Sequence, residues 1–364
     1  MIAAARRDRQ SVKLCAIDDG GIRHLQRTTL GSLFNAGDLV IANDAATLPA
    51  SLTGTHSASG TTIEVRLAAW VSMQEPTTFL AIAFGAGNHR TRTEDRLPPP
   101  RLSPGDRLLL GPLVATIDGP LDDRRLFRLR FLTDRKAVLA GLARHGRPIQ
   151  YAHVPAPLAL ADVWTAIAAE PIAFEAPSAG FALDWRTQAA WRQRGVTFAT
   201  LTHAAGLSST GDAALDRRLP FDEAYCIPQP TAAAIRGAKS KDRRVIAIGT
   251  TVVRALESAA SADGTVRAGD GIAIGRIGRK TPLRVVDALL TGVHQPGESH
   301  FEILRAFADD ALLHQMVLEL DRRGYRTHEF GDFILIDTRR APRPVFATAE
   351  ASAIRAVGAG QPSG

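Results

Sequence analysis

Apolar and polar positions divide this chain into two regions of different character. Between about residues 51 and 135, short alternating or apolar runs follow one another, separated by turn residues such as Gly60 and Gly105. This pattern predicts strands over residues 62–67, 78–84, 107–110, 114–117 and 126–131. Strands at this spacing, without intervening helices, are typical of a small β-barrel or sandwich.

On both sides of that region, runs of strand length alternate with segments of helical periodicity. The predicted strands cover residues 12–17, 39–42, 196–201, 245–248, 283–290 and 333–336. The predicted helices cover residues 135–144, 182–194, 252–260, 299–307 and 312–323. Such alternation predicts an α/β fold, with a mostly parallel sheet, flanking helices and an inserted small β-barrel. The expected parts are an α/β domain at 1–50 and 136–340, a barrel at 51–135 and a flexible tail at 341–364.

The segment RRVIAIGTTVVRALESAA, which begins at Arg243, has the most informative local pattern. Its unbroken apolar run, VIAI, is typical of a strand buried on both faces of a parallel sheet. The following helix start, with its unpaired N–H groups, could hold a carboxylate, a ribose hydroxyl or a phosphate. The candidate residues at this turn and one helical turn further on are Gly249, Thr250, Thr251, Arg254 and Glu257. The same pattern also fits a well-capped structural unit, and both interpretations stay open.

Ligands of open parallel sheets bind beyond the carboxyl ends of the strands. Besides the turn at Gly249, the polar residues that follow predicted strands are Asn43, Asp44, His203 and His294. The imidazole of His294 could transfer protons near neutral pH, or could only satisfy loop carbonyls. His203 could relay a proton or belong to an ordinary polar loop. Their shared position at the strand ends favours a functional site.

Glu223 and Tyr225 are weaker candidates for ligand binding. They alternate with Ala224 and Cys226, as on a strand that has one polar face, and could hold a ligand or merely face solvent. The glycine-rich stretch at residues 269–275 has the wrong spacing for a dinucleotide fingerprint, and no helix is predicted after it. The sequence contains no HExxH motif, nucleophile elbow or Walker loop.

Composition narrows the class of protein without identifying it. The 364 residues are 45% hydrophobic and 22% charged, as in a globular protein with a sizeable core. No apolar run approaches the roughly 18–20 residues that span a bilayer, so we expect a cytoplasmic enzyme with no membrane partner. Two cysteines provide neither a disulfide framework nor a cysteine metal cluster. The net charge of +7 is compatible with a polyanionic partner, although most basic runs are solvated faces.

Several segments together resemble the S-adenosylmethionine:tRNA ribosyltransferase-isomerase family of queuosine synthesis. In chain order they are GDLVIANDAATLPASLTG, APSAGF, RRVIAIGTTVVRALES, RVVDALLTGVHQP and YRTHEFGDFILI. The resemblance implies an α/β domain interrupted by a β-barrel, which agrees with the change of pattern near residue 51. It also implies that S-adenosylmethionine is a substrate, with no tightly bound cofactor and no metal.

In that family, the ribosyl group of S-adenosylmethionine moves to the aminomethyl side chain of a 7-deazaguanine at the tRNA wobble position. The product is epoxyqueuosine, and adenine and methionine are released. A base is thought to remove a proton beside the sulfonium, and the ribose rearranges to an epoxycyclopentane. The resemblance therefore implies S-adenosylmethionine and tRNA as partners, and we expect a monomer or weak oligomer.

The resemblance also implies roles for individual residues. Arg254 and Glu257 would hold polar groups of the donor, and His294 would transfer the proton, so these three are the catalytic candidates. The substrate-binding candidates are Gly249, Thr250, Thr251, Ser178, Gly180, His203, Glu223, Tyr225, Asn43 and Asp44.

Other positions depart from the family. Arginine, histidine or lysine side chains of the family are replaced at Ala46, Ser51, Ala182, Phe221 and Gly297. The lost side chains are of the kinds that bind phosphate or other anionic groups. Two alternatives therefore stay open: a diverged paralogue that uses S-adenosylmethionine on a small-molecule acceptor, and a non-catalytic RNA-binding protein.

Overall fold

The computed structural model describes residues 1–4, 11–120 and 125–337 of the chain. The predicted flexible tail at 341–364 lies outside these residues. The strands are β1 Ile2–Ala3, β2 Lys13–Asp18, β3 Gly21–Gln26, β4 Leu39–Asn43, β5 Ala45–Thr47, β6 Ser51–His56, β7 Thr62–Trp70, β8 Thr78–Phe84, β9 Arg107–Leu110, β10 Leu113–Pro120, β11 Leu126–Phe131, β12 Glu170–Ala173, β13 Thr197–His203, β14 Glu223–Ile227, β15 Val245–Ile248, β16 Gly269–Ala273, β17 Ala288–Gly292, β18 Arg326–Thr327 and β19 Phe333–Asp337.

The α-helices connect and cover these strands. They are α1 Arg135–His145, α2 Leu160–Val163, α3 Trp185–Gln193, α4 Ala213–Asp216, α5 Gln229–Ser240, α6 Thr250–Ala259, α7 Ser299–Leu304 and α8 Asp310–Arg322. Shorter 3₁₀ helices cover Arg27–Ser32, Thr93–Asp95 and Ser178–Ala182. None of the helices in the described part of the chain is long and apolar enough to cross a bilayer.

A nine-stranded sheet forms the centre of the α/β part, in the order β16-β14-β13-β4-β15-β17-β19-β2-β3. The central strands β13, β4, β15 and β17 run parallel to one another, and β19 runs parallel to β2. The remaining neighbours in this sheet are antiparallel. The sheet is therefore mixed, and the carboxyl ends of its four central strands meet at one edge.

Burial on both faces explains the unbroken apolar run of β15. Val245 and Ala247 pack into a core formed largely with α5, α6 and α8, whereas Ile246 and Ile248 pack into a second core with Trp191 of α3. All four strand residues are buried. The α/β fold predicted from the alternation of strands and helices is confirmed.

The inserted β-barrel predicted from the short runs is also confirmed. It is closed in the order β10-β11-β8-β7-β6-β9, and every pairing is antiparallel. Its interior is apolar and aromatic, with Phe79 and Phe131 fully enclosed and 5.7 Å between their ring centroids. On β11, Arg128 and Arg130 point to solvent between buried neighbours.

Several element boundaries differ from the prediction for local reasons. Strand β6 was not predicted because its sequence, SLTGTH, is mostly polar. The helix predicted from residue 182 begins only at Trp185, because Asp184 accepts the N–H of Thr187 as its N-cap. Strand β13 continues to His203, which lies in the strand and not in the loop after it.

Candidate active site

The chain bends sharply at Gly249, between β15 and α6. Its φ of 101° lies in the left-handed region, which glycine adopts without steric cost. The N–H of Gly249 donates to the carbonyl of Leu290 on β17, and a Cβ at this position would lie 3.4 Å from Ala179. The bend thus brings the start of α6, the end of β17 and the 3₁₀ helix Ser178–Ala182 together.

Asn43 connects three elements through hydrogen bonds at the same edge of the sheet. Its Oδ1 accepts the N–H groups of Ala45 and His203, at 3.0 and 2.9 Å. Its Nδ2 donates to the carbonyl of His203 at 2.9 Å and lies 3.4 Å from the hydroxyl of Thr251. The side-chain amide of Asn43 is buried, and both of its polar atoms already have hydrogen-bond partners. We therefore assign Asn43 a positioning role in place of the substrate contact expected from the sequence.

Arg254, Glu223 and His203 form a buried polar cluster beside the bend. Arg254 Nε lies 3.2 Å from Glu223 Oε2, and the same oxygen lies 3.5 Å from His203 Nε2. Arg254 Nη2 donates to the carbonyl of Ala273 at 2.9 Å, and Glu223 Oε1 accepts the N–H of Gly206 at 2.6 Å. Three of the residues selected from the sequence are thus brought together from α6, β14 and β13.

Burial sets the protonation of this cluster. Together with the charge of Arg254, it lowers the pKa of His203 to about 3, so the imidazole is neutral at pH 7. Burial also raises the pKa of Glu223, against the opposing effect of Arg254. Both ring nitrogens of His203 are buried without a hydrogen-bond partner in the described part of the chain. Buried polar atoms of this kind are normally satisfied by water or a ligand.

Glu257, one helical turn beyond Arg254, has a structural role. Its Oε1 accepts the N–H groups of Val285 and Val286 at 3.0 and 2.9 Å, and its Oε2 accepts that of Arg284 at 2.8 Å. These bonds replace strand pairing in this segment, which is why β17 begins at Ala288 and not near residue 283. We therefore assign Glu257 the structural role of fixing the backbone of residues 284–286, in place of the catalytic role expected from the sequence.

His294 lies just beyond β17, among ionisable side chains. Its Nε2 lies 3.3 Å from the hydroxyl of Thr291, and its Nδ1 lies 3.5 Å from Glu298 Oε2. Although burial opposes ionisation, contact with His294 holds the pKa of Glu298 below its usual value. Glu298 therefore faces His294 as a carboxylate, which favours the proton on Nδ1 and leaves Nε2 to exchange one with a ligand.

His300 links His294 to the first cluster. The two imidazole rings are stacked, with 4.8 Å between their centroids. Burial lowers the pKa of His300 to about 3, and the charges of His294 and Arg254 lower it as well. Arg254 is thus close enough to act electrostatically on the ring stacked against His294, and the two clusters are neighbours at the carboxyl ends of the central strands.

The other residues selected near the bend differ in accessibility. Thr250 is buried, whereas Thr251 and Ser178 are partly exposed and can meet a ligand. Gly180 is buried, and a Cβ there would lie 2.8 Å from the Thr165 side chain, so the close packing requires glycine.

Two further candidates have structural partners. Asp44 accepts a 2.7 Å hydrogen bond from the hydroxyl of Thr202. The ring of Tyr225 lies in the apolar core against Gly271, on the same face of β14 as Glu223. We therefore replace the expected ligand contact of Tyr225 with a packing role.

The sequence did not single out several ionisable residues that lie near His294 or in the neighbouring loops that meet at His153. They are Tyr151, His153, Glu175, Glu298, His300, His328 and Glu329. All lie in loops or in the single turn of α7, where no hydrophobic periodicity marks them. Their only signal in the sequence is the residue type itself.

A basic cavity of about 610 Å³ lies where the barrel meets the end of α1. Its charged lining comprises Glu64, Arg66, Arg90, Arg144 and Arg147. Glu64 is already neutralised, because Arg66 and Arg96 each lie 2.7 Å from one of its oxygens. Arg90, Arg144 and Arg147 form no ion pair within the described residues. The cavity therefore has surplus positive charge, which suits a phosphate.

Comparison with known proteins identifies the family. The profile of a family described as "Queuosine biosynthesis protein" matches residues 2–336. The S-adenosylmethionine:tRNA ribosyltransferase-isomerase of Geobacter sulfurreducens is 32% identical over 342 residues, with 91% of this chain and 94% of that protein covered. The protein of the same name from Sorangium cellulosum is 32% identical over 366 residues, with 92% and 94% covered.

A solved structure is also similar. It is that of S-adenosylmethionine tRNA ribosyltransferase from Thermotoga maritima, with a TM-score of 0.48 and 20% identity, covering 92% of this chain and 96% of that one. The family match spans both the sheet and the barrel, and the resemblance noted in the sequence is confirmed. The chain belongs to the queuosine biosynthesis protein family.

Proposed function

We propose that this chain is an S-adenosylmethionine:tRNA ribosyltransferase-isomerase that works in the cytoplasm. It would transfer the ribosyl group of S-adenosylmethionine to a 7-aminomethyl-7-deazaguanine in tRNA and isomerise it, giving epoxyqueuosine, adenine and methionine. The observation that carries the proposal is the gathering of Arg254, Glu223 and His294, with His300 between them, at the carboxyl ends of the central strands. Membership of the family supports it.

The donor would bind against the start of α6. The first N–H groups of a helix and the hydroxyl of Thr251 are suited to carboxylate or ribose oxygens. The Arg254–Glu223 pair would supply buried polar groups beside the donor, and the partly exposed Ser178 would contact it from the neighbouring 3₁₀ helix. Asn43 and Glu257 act indirectly, because they fix the strand ends and the segment before β17.

His294 would move the proton. Glu298 faces its Nδ1, so Nε2, which contacts the Thr291 hydroxyl, is the nitrogen that would take the proton from the carbon beside the sulfonium, which the positive sulfur acidifies. The neutral state of the stacked His300 avoids a second positive charge next to an imidazolium. The adenine–ribose and sulfur–ribose bonds break during the rearrangement, and His294 would return its proton to the leaving adenine. Methionine leaves with the electron pair of the sulfur–ribose bond, and the acceptor amine forms the new bond to the ribosyl group and loses a proton to solvent.

The basic cavity would hold phosphates of the tRNA. The exposed side chains of Arg90, Arg144 and Arg147 are suited to backbone phosphates, and such contacts position an RNA without reading its bases. A small-molecule acceptor would have no use for several unpaired arginines. This cavity therefore favours the tRNA acceptor over the small-molecule alternative.

One incubation tests the proposal. The purified chain is mixed with S-adenosylmethionine and tRNA that carries 7-aminomethyl-7-deazaguanine, and adenine, methionine and modified nucleosides are measured by mass spectrometry. Equal release of adenine and methionine, with epoxyqueuosine in the tRNA, is expected. Release that requires a small nucleophile would support the paralogue, and RNA binding without affinity for S-adenosylmethionine would support a binding protein.

A further inference from the structure

Two loops far apart in the sequence bring three potential metal ligands together. His153 lies in the loop between α1 and α2, and His328 and Glu329 lie in the turn between β18 and β19. One donor atom from each of the three lies within 4.8 Å of the others. His153 Nε2 faces Glu329 Oε2 at 3.4 Å, and the rings of His153 and His328 are stacked with 4.5 Å between centroids.

Buried polar side chains hold both loops in place. Gln150 is 6% exposed; its Nε2 donates to the carbonyl of Ala156 at 2.7 Å, and its Oε1 accepts the N–H of Leu158. Asp332 is 1% exposed and accepts the N–H groups of Arg326 and Lys13, at 2.7 and 2.8 Å. These bonds bracket the loops that carry the three ligands, so the donors are presented by a rigid frame.

One ring nitrogen of the cluster faces an acceptor without bonding closely to it. His153 Nε2 is buried and lies 3.4 Å from Glu329 Oε2, within ion-pair distance but longer than a normal hydrogen bond, and it has no other hydrogen-bond partner within the described residues. His328 has a φ of 66°, a left-handed conformation that histidine adopts more often than most residues other than glycine, and its carbonyl accepts the N–H of Gly331 in the same turn. A buried nitrogen that faces a carboxylate without a close bond is expected where a ligand normally completes the site.

We propose that His153, His328 and Glu329 bind a divalent transition-metal ion of the Zn²⁺ class. Two imidazoles and one carboxylate form a donor set that this class accepts, and three protein ligands leave a coordination position open. Tetrahedral donors at about 2.0–2.1 Å from zinc lie about 3.4 Å apart, so the donors must close by up to about 1.4 Å through side-chain rotation. The two rings must also tilt out of their stacked arrangement.

The three ligands lie beside a cavity open to solvent and close to His294. Glu329 also lines a cavity of about 790 Å³, which provides a route from solvent. The carbonyl of His328 lies 3.9 Å from where a Cβ of Gly292 would stand, and His294 is two residues further on. An ion here would therefore lie near His294 without using it, Arg254 or Glu223 as a ligand.

Cobalt provides a direct test that does not depend on ribosyl transfer. The full chain is stripped with a chelator and titrated with Co²⁺, and the visible d–d absorption is recorded before Zn²⁺ is added as a competitor. We expect one equivalent of Co²⁺ to give the intense absorption of a four- or five-coordinate site, which Zn²⁺ then removes. Glu329→Gln preserves shape and should weaken binding by at least about 100-fold, because it removes a direct ligand.

Matched variants locate the ion. His328→Gly removes a second ligand and relieves the left-handed backbone, so it should fold and lose the absorption. Two control variants should keep the Co²⁺ absorption. They are His314→Ala, at an exposed position on α8, and His294→Ala. The proposal is overturned if no absorption appears, or if Glu329→Gln binds Co²⁺ as the unchanged chain does; the three residues are then an ordinary ion pair with a stacked histidine.

Discussion

The guanidinium of Arg254 lies against the carboxylate of Glu223, with Nε 3.2 Å from Oε2, where the two residues are only 4% and 6% exposed. Removing either partner leaves an uncompensated polar group in a low-dielectric environment, whereas removing both leaves none. The pair therefore joins α6 to β14 at the edge of the sheet where the donor is proposed to bind.

Replacing Arg254 with Met should destabilise the protein by about 3–5 kcal/mol, because Glu223 stays buried without its partner. The free energy of unfolding is measured by urea denaturation. In the double variant Arg254→Met/Glu223→Gln the carboxylate is gone, so part of the loss should be recovered. The single variant Glu223→Gln completes the comparison. If the losses of Arg254→Met and Glu223→Gln simply add in the double variant, the two side chains are not coupled and the structural interpretation of the cluster is wrong.

Sequence patterns predicted the strand–bend–helix unit at Gly249 well, because a doubly buried strand and a helix stripe are both periodic. They also placed three members of the buried cluster among the candidates: Arg254 from its position one helical turn beyond the bend, Glu223 from strand alternation, and His203 from its position near a strand end. Patterns could not show that backbone groups bind Glu257 and Asn43, because most of those partners lie far away in the sequence.

The residues around His294 illustrate the same limit from the other side. Glu298 was not among the candidates selected from the sequence, yet it lies 3.5 Å from the imidazole. His153 and His328 come from loops without periodicity, and only the closed fold brings their rings together. Long-range contacts between loops are set by the whole topology, which local patterns do not encode.

His294→Ala should lower kcat by about 10²–10⁴-fold, the usual contribution of a positioned proton-transfer group. The KM for S-adenosylmethionine should change little, because the donor is expected to bind at α6. Glu298→Gln keeps the imidazole but removes the negative charge at Nδ1, so a smaller loss of kcat is expected. His314→Ala serves as the control, and a fully active His294→Ala would exclude this residue from proton transfer.

The buried imidazole of His203 should make stability depend on pH. Its pKa is about 3 in the folded protein against 6.5 for a free histidine. Between these two pH values, His203 is therefore protonated in the unfolded chain but neutral in the folded protein. The free energy of unfolding should therefore fall as the pH falls from 6.5, by at most about 1.4 kcal/mol per pH unit from this group. Urea denaturation across this range measures the slope.

His203→Gln should reduce that slope, because the replaced side chain does not titrate. His314→Gln removes an exposed histidine and should leave the slope as it is. An unchanged pH dependence in His203→Gln would mean that the imidazole is accessible to protons in the folded protein.

The unpaired arginines of the basic cavity should govern how tRNA binding depends on salt. Each phosphate contact releases counterions, so the slope of log K against log salt falls by roughly 0.7–0.9 for every contact that is lost. In Arg144→Gln/Arg147→Gln both side chains lose their charge, and the slope should become less steep by about 1.4–1.8. Fluorescence anisotropy of labelled tRNA over a salt series measures this slope.

The control variant Arg236→Gln changes an exposed arginine of α5, outside the cavity lining, and should leave the slope nearly unchanged. If all variants bind tRNA with one slope while the enzyme still modifies it, the phosphates are held elsewhere and the role of the cavity is refuted without harm to the catalytic proposal.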